Sequence, residues 1–360
     1  MPRPPLALYL FVLSIFSAFA IDRAEFIRMV TEFSEPDGYF DTDNLISNET
    51  TYLDAASALR ELRKPGGVYL GVGPDQNFSY IAHLRPEVAF MVDIRRGNLL
   101  EHLLFRTLFE QSRNRLEYLC LLLGKPVPAN FKEWNDAPIR KIIDYMDSAR
   151  PSKELFESEA AEVQMRILGL GLKLTQEDLS TIRGFHQRFF ADGLDLRFNT
   201  HGRAPQPYYP KFRDLIVATG TSGKPESYLA TEESFQFVKQ MQEENRVVPV
   251  IANLAGPKAL RQIAGYANGR KLTIRAFYVS NVEQYLSRRG DLEKFAENVK
   301  ALPHDASSIL IRSIFGGFTR RSYSEQLIQR MESFVTGWDS GKLGSYQQIV
   351  RASQAATLTQ

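Results

Sequence analysis

The sequence from residue 67 to residue 104 is GVYLGVGPDQNFSYIAHLRPEVAFMVDIRRGNLLEHLL. It contains two short apolar runs, at 67–71 and 88–93, and each precedes a stretch with helical spacing of its apolar residues. Pro86 stops the first helix, and Asn98 caps the second. Apolar runs of this length are typical of strands that are buried on both faces of a parallel sheet. The segment therefore predicts a βαβ unit.

The same alternation returns in the last third of the chain, after a long stretch of purely helical spacing. We predict a doubly wound, mostly parallel, Rossmann-like α/β sheet of about six strands with an all-helical insertion. The remaining strand candidates are 214–219, 247–252, 272–280 and 308–314, with helices at 232–243, 257–266 and 281–286 between them. The expected divisions are 21–111 (an N-terminal helix and the first βαβ unit), 112–208 (the helical insertion), 209–345 (the second half of the sheet) and 346–360 (a C-terminal tail).

The composition is that of a globular enzyme or binding protein. Its 360 residues include 44 basic and 42 acidic side chains, so the net charge of +2 gives no electrostatic indication of nucleic-acid binding. Five histidines and one cysteine are too few for a disulfide framework or a cysteine-rich metal module, and we expect no metal. No Gly-x-Ser-x-Gly sequence is present, which disfavours serine hydrolase chemistry.

The first twenty residues form a separate unit. Arg3 precedes an apolar run at 6–19, which ends in Ala18-Phe19-Ala20, a pattern of small residues typical of signal-peptide cleavage. We predict a signal peptide at 1–20 and export of the mature chain to the periplasm or the medium. The alternatives are an uncleaved N-terminal membrane anchor, and a cytoplasmic protein whose true first residue is Met29.

The glycine turn after the first predicted strand indicates a nucleoside site. Gly71 and Gly73 would let a ligand approach the backbone where a helix begins. Asp93 follows 22 residues after Gly71 (93 − 71), at the end of the second strand. Rossmann folds hold a ribose diol with a carboxylate at that place. The alternative is a tight turn at the glycines and a helix cap at Asp93.

The charged residues near the turn indicate which nucleoside it favours. The third glycine of a dinucleotide motif would stand at Gln76, and the adjacent Asp75 would repel a diphosphate. S-adenosylmethionine has no phosphate and carries a sulfonium and an ammonium group, so an acidic neighbour suits it. Arg95 and Arg96, however, are placed to meet the 2′-phosphate of NADP, which keeps NAD(P) as the second choice.

Two further segments supply candidate residues on the substrate side. Tyr278, Asn281 and Tyr285 would line the crevice outside the strand ends, although Ser280 and Glu283 alone would also form a capping box.

Asn48 and Glu49 belong to a polar segment that would form a lid over the nucleoside, or simply a turn before a helix. The neighbouring stretch 41–44 fails the spacing of a calcium loop, because its sixth and twelfth positions are Ile46 and Tyr52.

The segment 67–104 resembles a family of uncharacterised bacterial proteins with a Rossmann-like fold similar to S-adenosylmethionine-dependent methyltransferases. The segments 38–49, 255–260 and 276–285 fit the same resemblance, which extends over about residues 34–315. It implies a methyltransferase-like fold and a cofactor site at Gly71, Gly73, Gln76, Asn77 and Asp93. It supplies neither a catalytic residue nor an acceptor.

The leading hypothesis is a methyltransferase-like protein that binds S-adenosylmethionine or a related nucleoside as its small-molecule partner. Asp93 would hold the ribose, the backbone at Gly71 and Gly73 would contact the methionine moiety, and Asn77 would orient it, with Asp75 and Arg95 nearby. One alternative is an NAD(P)-dependent oxidoreductase. The other is a non-catalytic exported envelope or binding protein with a degenerate Rossmann-like fold.

Overall fold

The computed structural model describes residues 19–42, 44–201, 206–315 and 323–357. Its centre is one six-stranded sheet in the order β3-β2-β1-β4-β5-β6. Strands β1 to β5 are parallel, and β6 runs antiparallel to β5 at one edge. The strands are β1 (Gly67–Val72), β2 (Val88–Asp93), β3 (Val247–Ile251), β4 (Thr273–Ser280), β5 (Ile309–Phe315) and β6 (Ser324–Arg330).

Helices cover both faces of this sheet, which explains why β2 and β3 are buried along their whole length. The fold class is confirmed as a mostly parallel, Rossmann-like α/β sheet. The helices are α1 (Arg23–Glu32), α2 (Ala56–Glu61), α3 (Gln76–Leu84), α4 (Arg96–Gln111), α5 (Arg115–Leu122), α6 (Ile139–Ser148), α7 (Lys153–Gly169), α8 (Gln176–Asp192), α9 (Phe212–Ile216), α10 (Glu232–Glu243), α11 (Ala259–Gly269), α12 (Val282–Arg289), α13 (Leu292–Ala301), α14 (Met331–Asp339) and α15 (Tyr346–Thr357). Three 3-10 helices lie at Tyr52–Ala55, Phe131–Trp134 and Gly193–Asp195.

The strand predicted at 214–219 is wrong, because residues 214–216 belong to the short helix α9 and residues 217–219 follow its end. The backbone N–H of Lys211 donates to the Asp214 carboxylate at 2.9 Å, and Leu215 and Ile216 are buried. A four- to six-residue apolar run does not by itself distinguish a strand from one buried helical turn. The helical region between β2 and β3 therefore continues through α10, beyond the predicted end of the insertion at residue 208.

The sixth strand comes instead from β6, which the sequence pattern did not reveal. Its residues SEQLIQR are mostly polar, yet Gln326 and Gln329 are buried against the end of the sheet. The region predicted as a C-terminal tail contains α15, whose Ser353 accepts a hydrogen bond from Arg312 of β5 at 3.1 Å. The last helix is therefore part of the core and not a C-terminal tail.

The predicted signal peptide lies almost entirely outside the described residues, of which the first is Phe19. Ile21 is the first buried residue of the described part of the chain, and its N–H donates to the Glu244 carbonyl at 3.0 Å. In α1, Phe26 and Met29 are buried in the core. No helix among the described residues combines the length and apolar character that crossing a membrane requires.

Candidate functional site

A cavity of about 480 Å³ opens at the carboxyl ends of the parallel strands. Its floor includes Val72 of β1, Asp93 of β2, Ser280 of β4 and Phe315 of β5. After β1 the chain adds strands on one side, and from β4 onwards it adds them on the other, so the cavity lies at the topological switch point. Open α/β sheets bind ligands at this place, and the volume suits a small molecule.

Aromatic and uncharged polar side chains dominate the cavity wall. Among the described lining residues, the charged ones are Asp41, Asp93 and Arg289, of which the arginine is exposed. The described lining therefore has two carboxylates for one cation. The aromatic lining residues are Tyr39, Phe40, Phe198, Tyr209, Tyr285, Phe315 and Tyr323.

Asp93 lies at the floor of the cavity, as the ribose assignment requires, and Arg95 fixes its carboxylate. Its Oδ1 accepts from the Arg95 N–H at 2.9 Å and from Nε at 3.1 Å, while Oδ2 accepts from Nη2 at 2.9 Å. A carboxylate oxygen can accept two hydrogen bonds, so Oδ2 retains one acceptor position toward a ligand. Arg95 itself is absent from the cavity wall, and its Nη1 donates to the Thr42 carbonyl at 3.3 Å.

The glycine turn is shaped by an internal side chain, which corrects the prediction that Asn77 contacts a ligand. Asn77 is fully buried, and its Nδ2 donates to the carbonyls of Val72 (3.0 Å) and Pro74 (2.8 Å). Its Oδ1 accepts from the Tyr69 hydroxyl at 2.6 Å. A Cβ at Gly71 would collide with this Oδ1 and lie 2.6 Å from the Tyr69 hydroxyl oxygen. Gly71 therefore makes room for Asn77 and does not line the cavity.

The rest of the turn also faces the protein interior. Gly73 has φ +89°, a conformation that favours glycine, and its carbonyl accepts from Nε2 of His102 at 2.9 Å. Asp75 precedes α3, is buried, and accepts from the Tyr228 hydroxyl at 3.2 Å. Burial raises the pKa of the Asp75 carboxyl to about 7. Neither residue lines the cavity.

Arg96 points away from the cavity as well. Its Nε and Nη2 donate to the Asp178 carboxylate at 2.6 and 2.8 Å, which ties the start of α4 to α8 of the insertion. Its backbone N–H donates to Asp37 at 2.6 Å. Arg95 and Arg96, which the sequence suggested as partners for the 2′-phosphate of NADP, thus both pair with carboxylates of this chain.

Glu49 does not form a lid, because it is buried beside the cavity with four hydrogen-bond donors. Oε1 accepts from the hydroxyls of Tyr278 and Ser280 (3.0 Å for Ser280), and Oε2 accepts from the amides of Gln76 (3.3 Å) and Gln326 (3.0 Å). We call these five residues the Glu49 cluster. Burial and the nearby Glu49 carboxylate raise the pKa of Tyr278, which keeps its phenol a donor. Three predicted site residues, Glu49, Gln76 and Tyr278, meet here, although none of them lines the cavity.

Ser280 joins the cluster to the cavity wall, and its role was missed by the sequence prediction of a capping box. Its backbone has φ +51°, a region that costs energy for residues other than glycine. The register between β4 and β5 shifts between Tyr278 and Ser280. Asn281 occupies the N-cap position of α12 without a side-chain cap bond, and Glu283 forms a fully buried ion pair with Arg312.

Three predicted substrate-side residues do line the cavity: Asn48, Asn281 and Tyr285. The ring of Tyr285 meets that of Phe40 edge to face, with centroids 4.9 Å apart. Within the part of the chain that the structure describes, no group of three or more histidine, cysteine or acidic residues is placed to hold a metal ion.

The structure is that of an α/β protein with a cavity at a topological switch point. Residues 45–169 and 197–355 match the family model described as "Domain of unknown function (DUF7790)". The match includes more than half of the chain, so the protein belongs to this family. No curated protein matches the chain.

Proposed function

We propose that the protein is a methyltransferase-like enzyme that binds S-adenosylmethionine in the cavity at the switch point. The observation that carries the proposal is the position of Asp93, which ends β2 on the cavity floor with a free acceptor position on Oδ2. In nucleoside-binding α/β sheets, a carboxylate at this place accepts hydrogen bonds from the ribose hydroxyls.

The charges around the cavity favour a cationic ligand over a dinucleotide. Asp41 and Asp93 are acidic, and the one described lining cation, Arg289, is exposed. Arg95 and Arg96 are occupied by Asp93 and by Asp178, so the described residues present no arginine cluster to a pyrophosphate or a 2′-phosphate. Arg95 compensates much of the Asp93 charge, so a sulfonium or an ammonium group is attracted only weakly, whereas a pyrophosphate meets only the exposed Arg289 as a cation among the described lining residues.

The aromatic wall supports the same ligand. Planar rings such as adenine stack on aromatic side chains, and a sulfonium is attracted to the face of an aromatic ring as other cations are. The perpendicular rings of Phe40 and Tyr285 and the exposed Tyr39 lie at this wall.

Titration calorimetry tests the proposal on the purified chain with S-adenosylmethionine, S-adenosylhomocysteine, NAD and NADP. We expect micromolar binding of the first two and none of the dinucleotides. Asp93→Asn should weaken S-adenosylmethionine binding by at least about tenfold, since hydrogen bonds to a charged group contribute about 1.5–3 kcal/mol. Asp178→Asn is the matched control, because Asp178 also binds an arginine through both oxygens but lies away from the cavity. Equal affinities for the wild type and Asp93→Asn would contradict the ribose assignment.

A second candidate is a non-catalytic exported binding protein, which the packing at the N-terminus favours. Among the described residues, Ile21 is the first that is buried, and it follows the proposed signal-peptide cleavage site. Binding of none of the four ligands by folded protein, together with a secreted chain that starts at Ile21, would select this candidate. Sequencing the N-terminus of the chain recovered from cell fractions gives that second result.

A further inference from the structure

The cavity has a second half, at the ends of β4 and β5, to which cofactor binding assigns no role. Asp93 belongs to the half formed by β1, β2 and β3, whereas Ser280, Asn281, Phe315 and Tyr323 belong to the other. Ser280 is also a member of the Glu49 cluster, through its hydrogen bond to Glu49. This half is the place for the methyl acceptor if the proposed function holds.

The Glu49 carboxylate is buried, and among the described residues it has no cationic partner. Its four hydrogen-bond donors are two hydroxyls and two amides, all uncharged, and two of them reach each oxygen. Placing a carboxylate in the interior is costly, and a buried ion usually pairs with an opposite charge. Here the site keeps a carboxylate next to the cavity, with uncharged donors as its described partners.

Ser280 is the route from the cavity to that carboxylate. Ser280 lines the cavity, and its hydroxyl donates to Oε1 of Glu49 at 3.0 Å. Its backbone is held at φ +51°, at the point where the strand turns into a helix. Strained backbone of this kind is concentrated at functional sites, where the surrounding structure enforces it.

An aromatic wall faces this half of the cavity. Tyr323 is its centre, with ring centroids 5.3 Å from Phe315 and 5.8 Å from Tyr209. Phe198 extends the wall at 5.1 Å from Tyr209. Flat aromatic compounds pack on such a surface by stacked and edge-to-face contacts.

We infer that the methyl acceptor is a small aromatic hydroxyl compound bound against this wall, and that Glu49 takes its proton through the Ser280 hydroxyl. The inference rests on the proposed function. The acceptor oxygen attacks the methyl carbon, the carbon–sulfur bond breaks, and its electron pair stays on sulfur, which gives neutral S-adenosylhomocysteine. The acceptor proton passes to Ser280 Oγ while the Ser280 proton passes to Glu49. Ser280 is then a catalytic residue, and Glu49 is the final proton acceptor.

The test measures transfer of radiolabelled methyl from S-adenosylmethionine to 4-methoxyphenol, phenol and 4-nitrophenol by the full chain. We expect Ser280→Ala and Glu49→Gln to lower transfer to phenol by about 100-fold or more, the usual contribution of a general base. Their affinity for S-adenosylmethionine should stay within about twofold of the wild type, a change of under 1 kcal/mol. Ser308→Ala removes a buried hydroxyl at the opposite end of β5 and should leave transfer unchanged.

The acidity of the phenol separates a proton acceptor from a structural residue. The defect of Glu49→Gln should shrink to less than about tenfold with 4-nitrophenol, because an ionised acceptor needs no base. For phenol itself, the rate of this variant should rise with pH. If Glu49→Gln fails to fold, Ser280→Gly, which suits φ +51°, carries the same comparison.

Three results would overturn the inference. A wild type that binds S-adenosylmethionine but methylates no phenol would exclude the acceptor class. Equal defects for all three phenols would make the Glu49 cluster structural only. Absence of S-adenosylmethionine binding would remove the proposed function itself, and the proton relay with it.

Discussion

Replacing Gly71 with alanine tests whether this glycine serves the internal packing of the turn. The added Cβ would collide with the Asn77 side chain and lie 2.6 Å from the Tyr69 hydroxyl oxygen, and both residues are fully buried. Displacing Asn77 disturbs three hydrogen bonds, each worth about 1 kcal/mol, and overpacking adds about 1–3 kcal/mol. We expect Gly71→Ala to lower the free energy of unfolding by about 4–6 kcal/mol.

Equilibrium unfolding in urea measures this loss, and two further variants show its cause. Gly73→Ala has only Asn44 Nδ2 near the new Cβ, at 3.2 Å, but pays for φ +89°. Its expected cost is about 1–2 kcal/mol. In an Asn77→Ala background the added cost of Gly71→Ala should fall, because contacting residues are not additive. A loss below about 1 kcal/mol for Gly71→Ala alone would refute the packing explanation.

Three further predictions concern stability. Burial raises the pKa of Asp75 from 3.8 to about 7, so between about pH 4 and pH 7 the folded chain keeps a proton there that the unfolded chain releases. The free energy of unfolding of the wild type, relative to Asp75→Asn, should therefore fall by at least about 1 kcal/mol over that range, and a constant difference in urea titrations would contradict this. A chain that starts at Met29 lacks the buried Phe26, whose loss alone costs about 3–5 kcal/mol, whereas one that starts after residue 20 retains it. Thermal denaturation should show a much lower Tm for the shorter chain; equal values would show that the first helix is dispensable. Arg312→Met leaves Glu283 buried without its partner and should cost about 3–5 kcal/mol, while adding Glu283→Leu should restore most of it. An equally unstable double variant would mean that the pair matters for more than charge compensation.

The parts of the fold that the sequence predicted well are those with contiguous apolar strands between turn residues. β2 was predicted with both of its ends correct, and β1 within one residue. The 214–219 run failed because one buried helical turn has the same apolar density as a short strand. β6 was missed because its buried glutamines obtain their hydrogen bonds from distant partners, as when Gln326 reaches Glu49 and Ser313. Hydrogen bonds between residues so far apart in the chain leave no pattern in the local sequence.

The candidate site was likewise predicted only in part from the sequence. Asp93, Asn281 and Tyr285, predicted near the carboxyl ends of strands, line the cavity, and so does Asn48, which was predicted as part of a polar lid segment. The turn from Gly71 to Asn77 was located correctly, but local sequence does not tell whether Asn77 points to a ligand or back to Val72 and Pro74.

The most informative contact joins residues 229 positions apart, Glu49 and Tyr278. Each was predicted separately as a candidate site residue, but the hydrogen bond between them depends on how distant parts of the chain pack together.

The segment that carries Glu49 also bears on how the protein avoids self-association. β6 ends the sheet, and an uncovered edge strand offers its backbone groups to a second chain. Here the N–H of Thr50 donates to the Ser324 hydroxyl at 3.1 Å, the Thr51 hydroxyl donates to the Ser324 carbonyl at 2.9 Å, and the 3-10 helix that follows packs on β6. Substitutions that loosen this segment therefore expose the edge of β6. We expect variants that disturb the surroundings of the buried Glu49 carboxylate to lose solubility as well.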